Sequence, residues 1–425
     1  MSKQNVEIVA FVGLDWADQK HVVTLQAADN DQRERFTLDQ TPEALQSWIQ
    51  LLRNRFAGQP VAIAVEQKRG ALIYALMHVD FLRLYPVNPQ TLSQFRKAFY
   101  PSGAKDDPVD ADLLLEILMT HRQHLRVWVP DDVLTRSIQL LTEDRRGLVD
   151  ERTALTNQLT AALKMYFPQA LEWFGDLHTA RACAFLQRWP SLQDLQQATP
   201  SSVRKFYKAQ GYRGEDKLEQ LMANIKKAQP LTQDGAVLLA GSMKVQALVT
   251  QIPLLTESIQ QYDQKIASLF DQHDDSTLFS SFPGAGASLA PRLLAAFGSD
   301  RGRFQFAAEM QQLAGIAPVT EKSGTGIWIH WRLACSKFLR QTFQEFAGCS
   351  ILQSDWARAY YEQMKTRGKS HPAALRALAF KWIRIIFRCW KTRTPYEETL
   401  YCKSLIQRQS PLAVELPADE KLALT

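Results

Sequence analysis

Residues 6–14 read VEIVAFVGL and run directly into Asp15. An apolar, β-branched run of this length reads as a buried strand, and here it stops on a carboxylate. Outward from it, HVVTLQA at 21–27 reads as a second strand after a tight turn, and Phe36 to Leu38 as a short third. Thr41-Pro42-Glu43 then opens a helix. Thr41 suits the N-cap, Pro42 suits the first helical position, and Leu45, Trp48, Ile49 and Leu52 form its apolar face. Val61 to Val65 is a further strand ending on Glu66. A short helix, a strand at Leu82 to Val87 and a helix from Pro108 to His121 follow. Three strands, a helix, then alternation is the order of a ribonuclease-H-like α/β domain, which we place at residues 1–125. Other α/β folds begin in a similar order, so function has to be argued from the site.

The pattern then turns helical. Leu134, Leu141, Leu148, Leu155 and Ala162 recur every seven residues. A second heptad series has Val245, Ile252, Ile259 and Ile266 at one seam position and Leu248, Leu255, Tyr262 and Leu269 at the other, with Pro253 marking a kink or a helix start. Residues 126–275 are therefore expected to be a helical coiled-coil region. The heptads fit a parallel dimer or a hairpin within one chain equally well. Residues 164–235 interrupt them with an aromatic-rich helical insertion. A mainly α-helical C-terminal domain is expected at 276–405 and an irregular tail at 406–425.

The chain carries 50 Lys+Arg against 44 Asp+Glu, a net charge of +6. The excess is local: residues 321–410 hold 16 basic and 6 acidic side chains. Such clustering suits a polyanion binder, although a solvated helix face produces the same count. The five cysteines stand singly, which argues against a zinc site or a disulfide framework and suits a reducing cytoplasm. Neither a signal peptide nor a membrane span is expected.

Asp15 and Glu66 each end a strand, and Asp107 and Asp110 lie one turn apart at the start of a helix, in AKDDPVDAD. As single residues Asp15, Asp107 and Asp110 have ordinary explanations, as a cap or first-turn acids, whereas a Glu ending a strand after VAIAV is unusual. Together they suggest a cluster whose mutual repulsion a divalent cation relieves. Oxygen-only ligands favour Mg²⁺ or Mn²⁺, which serve phosphoryl transfer. Further along, Pro283-Gly284-Ala285-Gly286 reads as a hairpin between helices whose backbone N–H groups could face a phosphate; alone, an ordinary turn explains it as well. Lys322-Ser323-Gly324-Thr325-Gly326 has no His or Asp at a triad-like distance, so spacing alone reads Ser323 as part of a turn. Trp328, His330, Trp331, Arg332, Lys337 and Arg340 mix aromatic and basic groups as nucleic-acid binders do. Arg376, Lys381, Arg384 and Arg388 form a basic stripe on a later helix.

GLDWADQKHVVTL, AVEQKRG, LYPVNPQTL, SGAKDDPVDAD, FPGAGASLAPRLLAAFG, LAGIAPVTEKSGTG and HWRLACSKFLRQTF together resemble the bacterial insertion-sequence transposases of the one-hundred-ten type, also called DEDD transposases, over residues 6–400. The resemblance implies a RuvC-like N-terminal domain whose four metal-binding acids fall on Asp15, Glu66, Asp107 and Asp110. It also implies a C-terminal domain whose nucleophilic serine falls on Ser323, which reverses the reading from spacing. Further implied are Mg²⁺ or Mn²⁺, donor and target double-stranded DNA, a guide (bridge) RNA, and a dimer or tetramer in the bacterial cytoplasm, at the nucleoid. Gly284, Gly286, Lys322, Arg332, Lys337 and Arg340 become the nucleic-acid-binding candidates. Two departures stand out. The family's Glu-x-Thr-Gly is Glu66-Gln67-Lys68-Arg69-Gly70 here, and the 164–235 insertion lengthens the chain between Asp110 and Ser323. The other readings weighed are a plain RuvC-like endonuclease such as a junction resolvase, and a binding scaffold with an inactive carboxylate site. An actin-like ATPase beginning at GLDWA lacks a second glycine-rich phosphate motif.

Overall fold

Strand β1 (Ala10–Asp15) lies at the centre of a five-stranded sheet of order β3-β2-β1-β4-β5. Its neighbours are β2 (Lys20–Ala27), antiparallel, and β4 (Val61–Val65), parallel; β3 (Arg33–Asp39) and β5 (Leu82–Pro86) form the edges. This computed structural model describes residues 7–66, 69–100, 107–410 and 412, apart from the side chain of Asp107. Residues 102–106 of SGAKDDPVDAD, together with Gln67, Lys68 and the tail from 413 on, lie outside the described residues. By contact the chain divides into two compact units, 1–130 and 131–425.

In the first unit the central strands are apolar on both faces because helices cover both. Val61, Ile63 and Val65 join Leu45, Trp48 and Leu52 of α1 (Pro42–Arg55) and Leu72 of α2 (Ala71–Leu76) on one side. Ala62 and Ala64 face the opposite layer, with Leu92 of α3 (Pro89–Phe99) and Leu113, Leu114 and Leu118 of α4 (Asp107–His121). Thr41 caps α1 by accepting from Ala44 N–H, as expected. The sequence reading passed over α3, although Asn88-Pro89 is a start signal: Asn88 Oδ1 accepts from Gln90 N–H, and Pro89 stands at the first turn. β3 is longer than Phe36–Leu38 because an exposed edge strand needs few apolar residues.

The second unit is mostly helical. Two long helices, α5 (Val133–Tyr166) and α11 (Gly235–Asp271), run antiparallel. Thr135 lies against His273, Arg145 pairs with Asp263, and Gly241 abuts the ring of Tyr166. The two heptad series therefore pair within one chain. On α11 the expected seam holds, with Val245, Leu248, Ile252, Ile259 and Ile266 buried. On α5 it is rotated: Ile138, Thr142, Leu159, Ala162 and Leu163 are buried, whereas Leu134, Leu141, Leu148 and Leu155 are half-exposed. Pro253 sits inside a continuous α11. By length and hydropathy alone α11 is apolar enough to cross a membrane, a test that a long core helix also meets.

Between these helices the insertion forms α6 (Gln169–Trp173), α7 (Ala180–Arg188), α8 (Leu192–Gln197), α9 (Pro200–Ala209) and α10 (Glu215–Lys227). Phe185, Trp189, Phe206 and Tyr207 contact one another there in mostly edge-to-face pairs. The remaining elements are α12 (Ser276–Ser280), α13 (Gly286–Phe297), α14 (Ala307–Leu313), hairpin strands β6 (Val319–Ser323) and β7 (Gly326–His330), α15 (Lys337–Ser350), α16 (Asp355–Thr366), α17 (His371–Thr392) and α18 (Glu398–Gln407). Their core is built on Trp356, Trp382, Trp390, Phe282, Phe297 and Phe346.

Candidate active site

Asp15 is the last residue of β1 and is buried. Leu14 pairs in parallel with Val65, so Asp15 and Glu66 leave adjacent strands side by side, at the ~4.8 Å spacing of neighbouring strands. Strand alternation puts Asp15 on the face of Phe11 and Gly13, and Glu66 on the face of Ala62 and Ala64. That is the face covered by α4. The helix comes unusually close because Gly13 has no side chain: a Cβ there would lie 2.0 Å from the Ala111 carbonyl oxygen and 2.5 Å from the Leu115 nitrogen. Asp110, next to Ala111 on the first turn, is thereby brought to the edge that carries Asp15 and Glu66. The backbone of Asp107 begins the same turn, and its side chain lies outside the described residues.

Asp110 is completely buried, and Arg96 of α3 grips it with both ends of its guanidinium, Nε–Oδ1 at 2.6 Å and Nη2–Oδ2 at 2.5 Å. Two further features escaped the sequence reading. Asp112 projects from the other side of α4, accepting from Thr24 Oγ1 at 2.8 Å and Arg35 Nε at 3.0 Å; it ties the helix to β2 and β3. His21 is buried, and its Nδ1 accepts from Ala17 N–H, so Nε2 donates to Gln40. That arrangement holds the loop leaving Asp15, and burial lowers the imidazole pKa, favouring the neutral ring. The spacing from Asp110 to Asp112 was visible in AKDDPVDAD; the partners of Arg96 and His21 are set by the fold.

The donor chemistry suits a hard divalent cation, and Asp15 and Glu66 place two such donors at one sheet edge. Among the described residues, no group of three His, Cys, Asp or Glu side chains is placed to hold a metal ion. Arg96 occupies one lone pair on each Asp110 oxygen.

Ser323 is exposed at the end of β6, paired with Gly326 across the Gly324-Thr325 turn. Gly324 has φ +57°, the left-handed conformation such a two-residue turn demands. Lys322 is exposed on the same strand and Lys337 at the start of α15. Arg332 is half-buried. Arg340 donates to the Arg332 carbonyl at 2.9 Å and fastens the segment after the hairpin. In α17, Arg376 lies over the ring of Trp331 and Lys381 over that of Tyr360. The Gly284 N–H donates to Gln353 Oε1 at 2.9 Å, and its Cα packs against the carbonyl of Cys349. Gly286, at the start of α13, faces open space.

Comparison with known proteins matches residues 12–168 to a DEDD transposase family model of the IS110 type and residues 276–362 to the transposase IS116/IS110/IS902 family, together more than half the chain. A mini-circle protein of Streptomyces coelicolor named as the transposase for IS117 is 26% identical over 94% of this chain and 98% of its own. The 43.6 kDa protein of insertion element IS110, from the same organism, is 26% identical over 75% of this chain and 76% of its own. A 42 kDa protein of insertion element IS900 from Mycobacterium paratuberculosis is 27% identical over 80% and 85%.

Proposed function

This chain belongs to the IS110 family of insertion-sequence transposases, and from that premise we propose that it exchanges DNA strands through a covalent serine intermediate. Ser323 Oγ attacks a DNA phosphorus. A serine–phosphate bond forms as the bond to the 3′ oxygen breaks, and the departing 3′ oxygen takes up the proton. The 3′-hydroxyl of the partner strand then attacks the serine–phosphate link, rejoining DNA and releasing Ser323. One phosphoester bond forms for each one lost, so no nucleoside triphosphate is needed. A bound Mg²⁺ or Mn²⁺ would supply charge stabilisation to the phosphoryl group. Asp15, Glu66, Asp107 and Asp110 are the residues to hold it, on a sheet read as ribonuclease-H-like (RuvC-like). Lys322, Arg332, Lys337 and Arg340 contribute positive charge toward the DNA. A guide RNA chooses donor and target. A dimer or tetramer brings the serine of one protomer to the carboxylates of another.

What supports this reading is that Asp15 and Glu66 leave neighbouring parallel strands side by side, while Ser323 is exposed on a hairpin. Denaturing gels of the protein incubated with labelled DNA spanning an insertion junction test it. Wild-type chain should carry covalently bound label and Ser323→Ala none. An adduct persisting in Ser323→Ala removes the nucleophile assignment. Hydrolysed ends without any adduct point to a RuvC-like endonuclease instead.

A further inference from the structure

The β6–β7 hairpin is a sheet of only two strands, a unit with marginal stability of its own in water. Its register divides the side chains cleanly. Ser323 pairs with Gly326, Glu321 with Trp328 and Val319 with His330, so these six share one face; Thr320, Lys322, Ile327 and Ile329 take the other. Trp328 is diagonal to Ser323 on the shared face, at the ~7–8 Å separation that a large aromatic side chain can bridge. It is 66% exposed. A tryptophan left in solvent beside the proposed nucleophile offers a flat apolar surface of nucleobase size.

One carboxylate, Glu321, lies opposite Trp328 on this face, 3.3 Å from His330 Nε2. Beyond it the balance is basic: from Lys322 to Gln344 there are four Lys or Arg and no further Asp or Glu. At the open end of the hairpin, Arg376 stacks on Trp331, 3.0 Å from the ring centroid, with Arg340 close enough for the two positive charges to repel. Burial, then that repulsion, lowers the pKa of Arg376. Among the described residues, no carboxylate forms an ion pair with Arg332, Arg340 or Arg376, and the buried Nε atoms of Arg332 and Arg340 have no acceptor. Guanidiniums held together without a counter-charge are a ready site for phosphate oxygens. The open end lies four residues from Ser323, or ~13 Å at the rise of a strand.

We propose that the Ser323 face of the hairpin docks an unpaired stretch of the DNA strand to be cut, with Trp328 stacking on a base beside the scissile phosphate and Arg376 and Arg340 holding a phosphate further along that strand. The proposal rests on the Ser323 reading only for which strand is bound. The aromatic face fixes the base next to the reacting phosphodiester, and the arginines set the direction of the backbone. The hairpin thereby orients the DNA at the serine, in addition to attracting it.

Fluorescence anisotropy of a fluorescein-labelled single-stranded DNA oligonucleotide, titrated with the full-length chain, tests this. Trp328→Ala should weaken binding roughly 5- to 100-fold, the range for loss of one base–aromatic stack, and Trp328→Phe should restore most of it. Arg376→Gln should lower the slope of log affinity against log salt by ~0.7, the signature of one lost single-strand phosphate contact. Ser323→Ala should bind as wild type while forming no adduct. Unchanged binding by Trp328→Ala overturns the proposal. So does a loss of self-association by Trp328→Ala in light scattering with DNA binding intact, which would make a second copy of the chain the occupant. An adduct retained by Ser323→Ala would remove the nucleophile reading and leave the binding result standing.

Discussion

Asp110 is sealed inside the N-terminal unit, both oxygens gripped by Arg96, on a helix pressed against a five-stranded sheet. Ser323 stands in solvent on a two-stranded hairpin, near arginines that no described carboxylate neutralises. One region carries its own counter-charge; the other leaves charge for an incoming partner. The contrast follows from dielectric surroundings. A buried carboxylate without a partner is too costly to keep, whereas a half-buried guanidinium keeps enough exposure to stay hydrated until a phosphate displaces the water. A rigid, self-compensated site suits chemistry that needs fixed positions, and an uncompensated one suits recognition.

The largest effects should separate the two regions by function. Asp15→Asn and Ser323→Ala should each lower DNA joining by at least ~10³-fold, the scale expected when a member of a concerted site is lost. They should differ in metal response. Mn²⁺ should raise the melting temperature of wild type and of Ser323→Ala but not of Asp15→Asn; an equal rise in all three would place the cation elsewhere. Next in size is the buried ion pair. Arg96→Met should destabilise the N-terminal unit by about 3–5 kcal/mol in urea denaturation, because it strands Asp110, and adding Asp110→Asn should recover most of the loss. Arg376→Gln, with no carboxylate partner, loses only its stacking on Trp331 and should cost less, about 0.5–1 kcal/mol. Equal losses at Arg96 and Arg376 would erase the contrast.

Gly13→Ala should cost about 1–3 kcal/mol by overpacking, since its Cβ meets the Ala111 carbonyl oxygen at 2.0 Å. It should also impair DNA joining by pushing α4, and Asp110 with it, away from β1. The smallest effect lies at the start of α5. Burial pushes the Asp132 pKa up, but hydrogen bonds from Ser299 and Thr135 outweigh this and hold it at about 2, against an ordinary 3.8. A carboxyl depressed in the folded state stabilises the protein above its ordinary value and loses that contribution as pH falls toward 2. The melting temperature of wild type should therefore fall between pH 4 and pH 2 more steeply than that of Asp132→Asn.

Much of this was legible in the chain itself. AFVGLD, within the expected 6–14 run and its Asp15, and VAIAV are strands because their apolar residues are too continuous for any exposed element, and Thr41-Pro42 starts a helix through local hydrogen bonding and a fixed φ. The carboxylates could be named because each ends a strand or opens a helix, places that local patterns mark. The hairpin at 319–330 was missed. Its only apolar stretch, Ile327-Trp328-Ile329, is three consecutive residues without alternation, and the C-terminal region around it reads as helical.

Tertiary structure alone decided the rest. Heptads record that a stripe is apolar but not which helix meets it, so only the fold shows α5 and α11 pairing within one chain, with the α5 seam rotated. Only the fold brings Gln353, distant in sequence, to the Gly284 N–H. Residue types along the chain set which groups can react, whereas counter-charges come from whichever side chains the fold brings near. That is why Asp15, Glu66 and Asp110 could be chosen from sequence, and why Arg96 on Asp110 and Trp328 beside Ser323 became visible only with the elements in place.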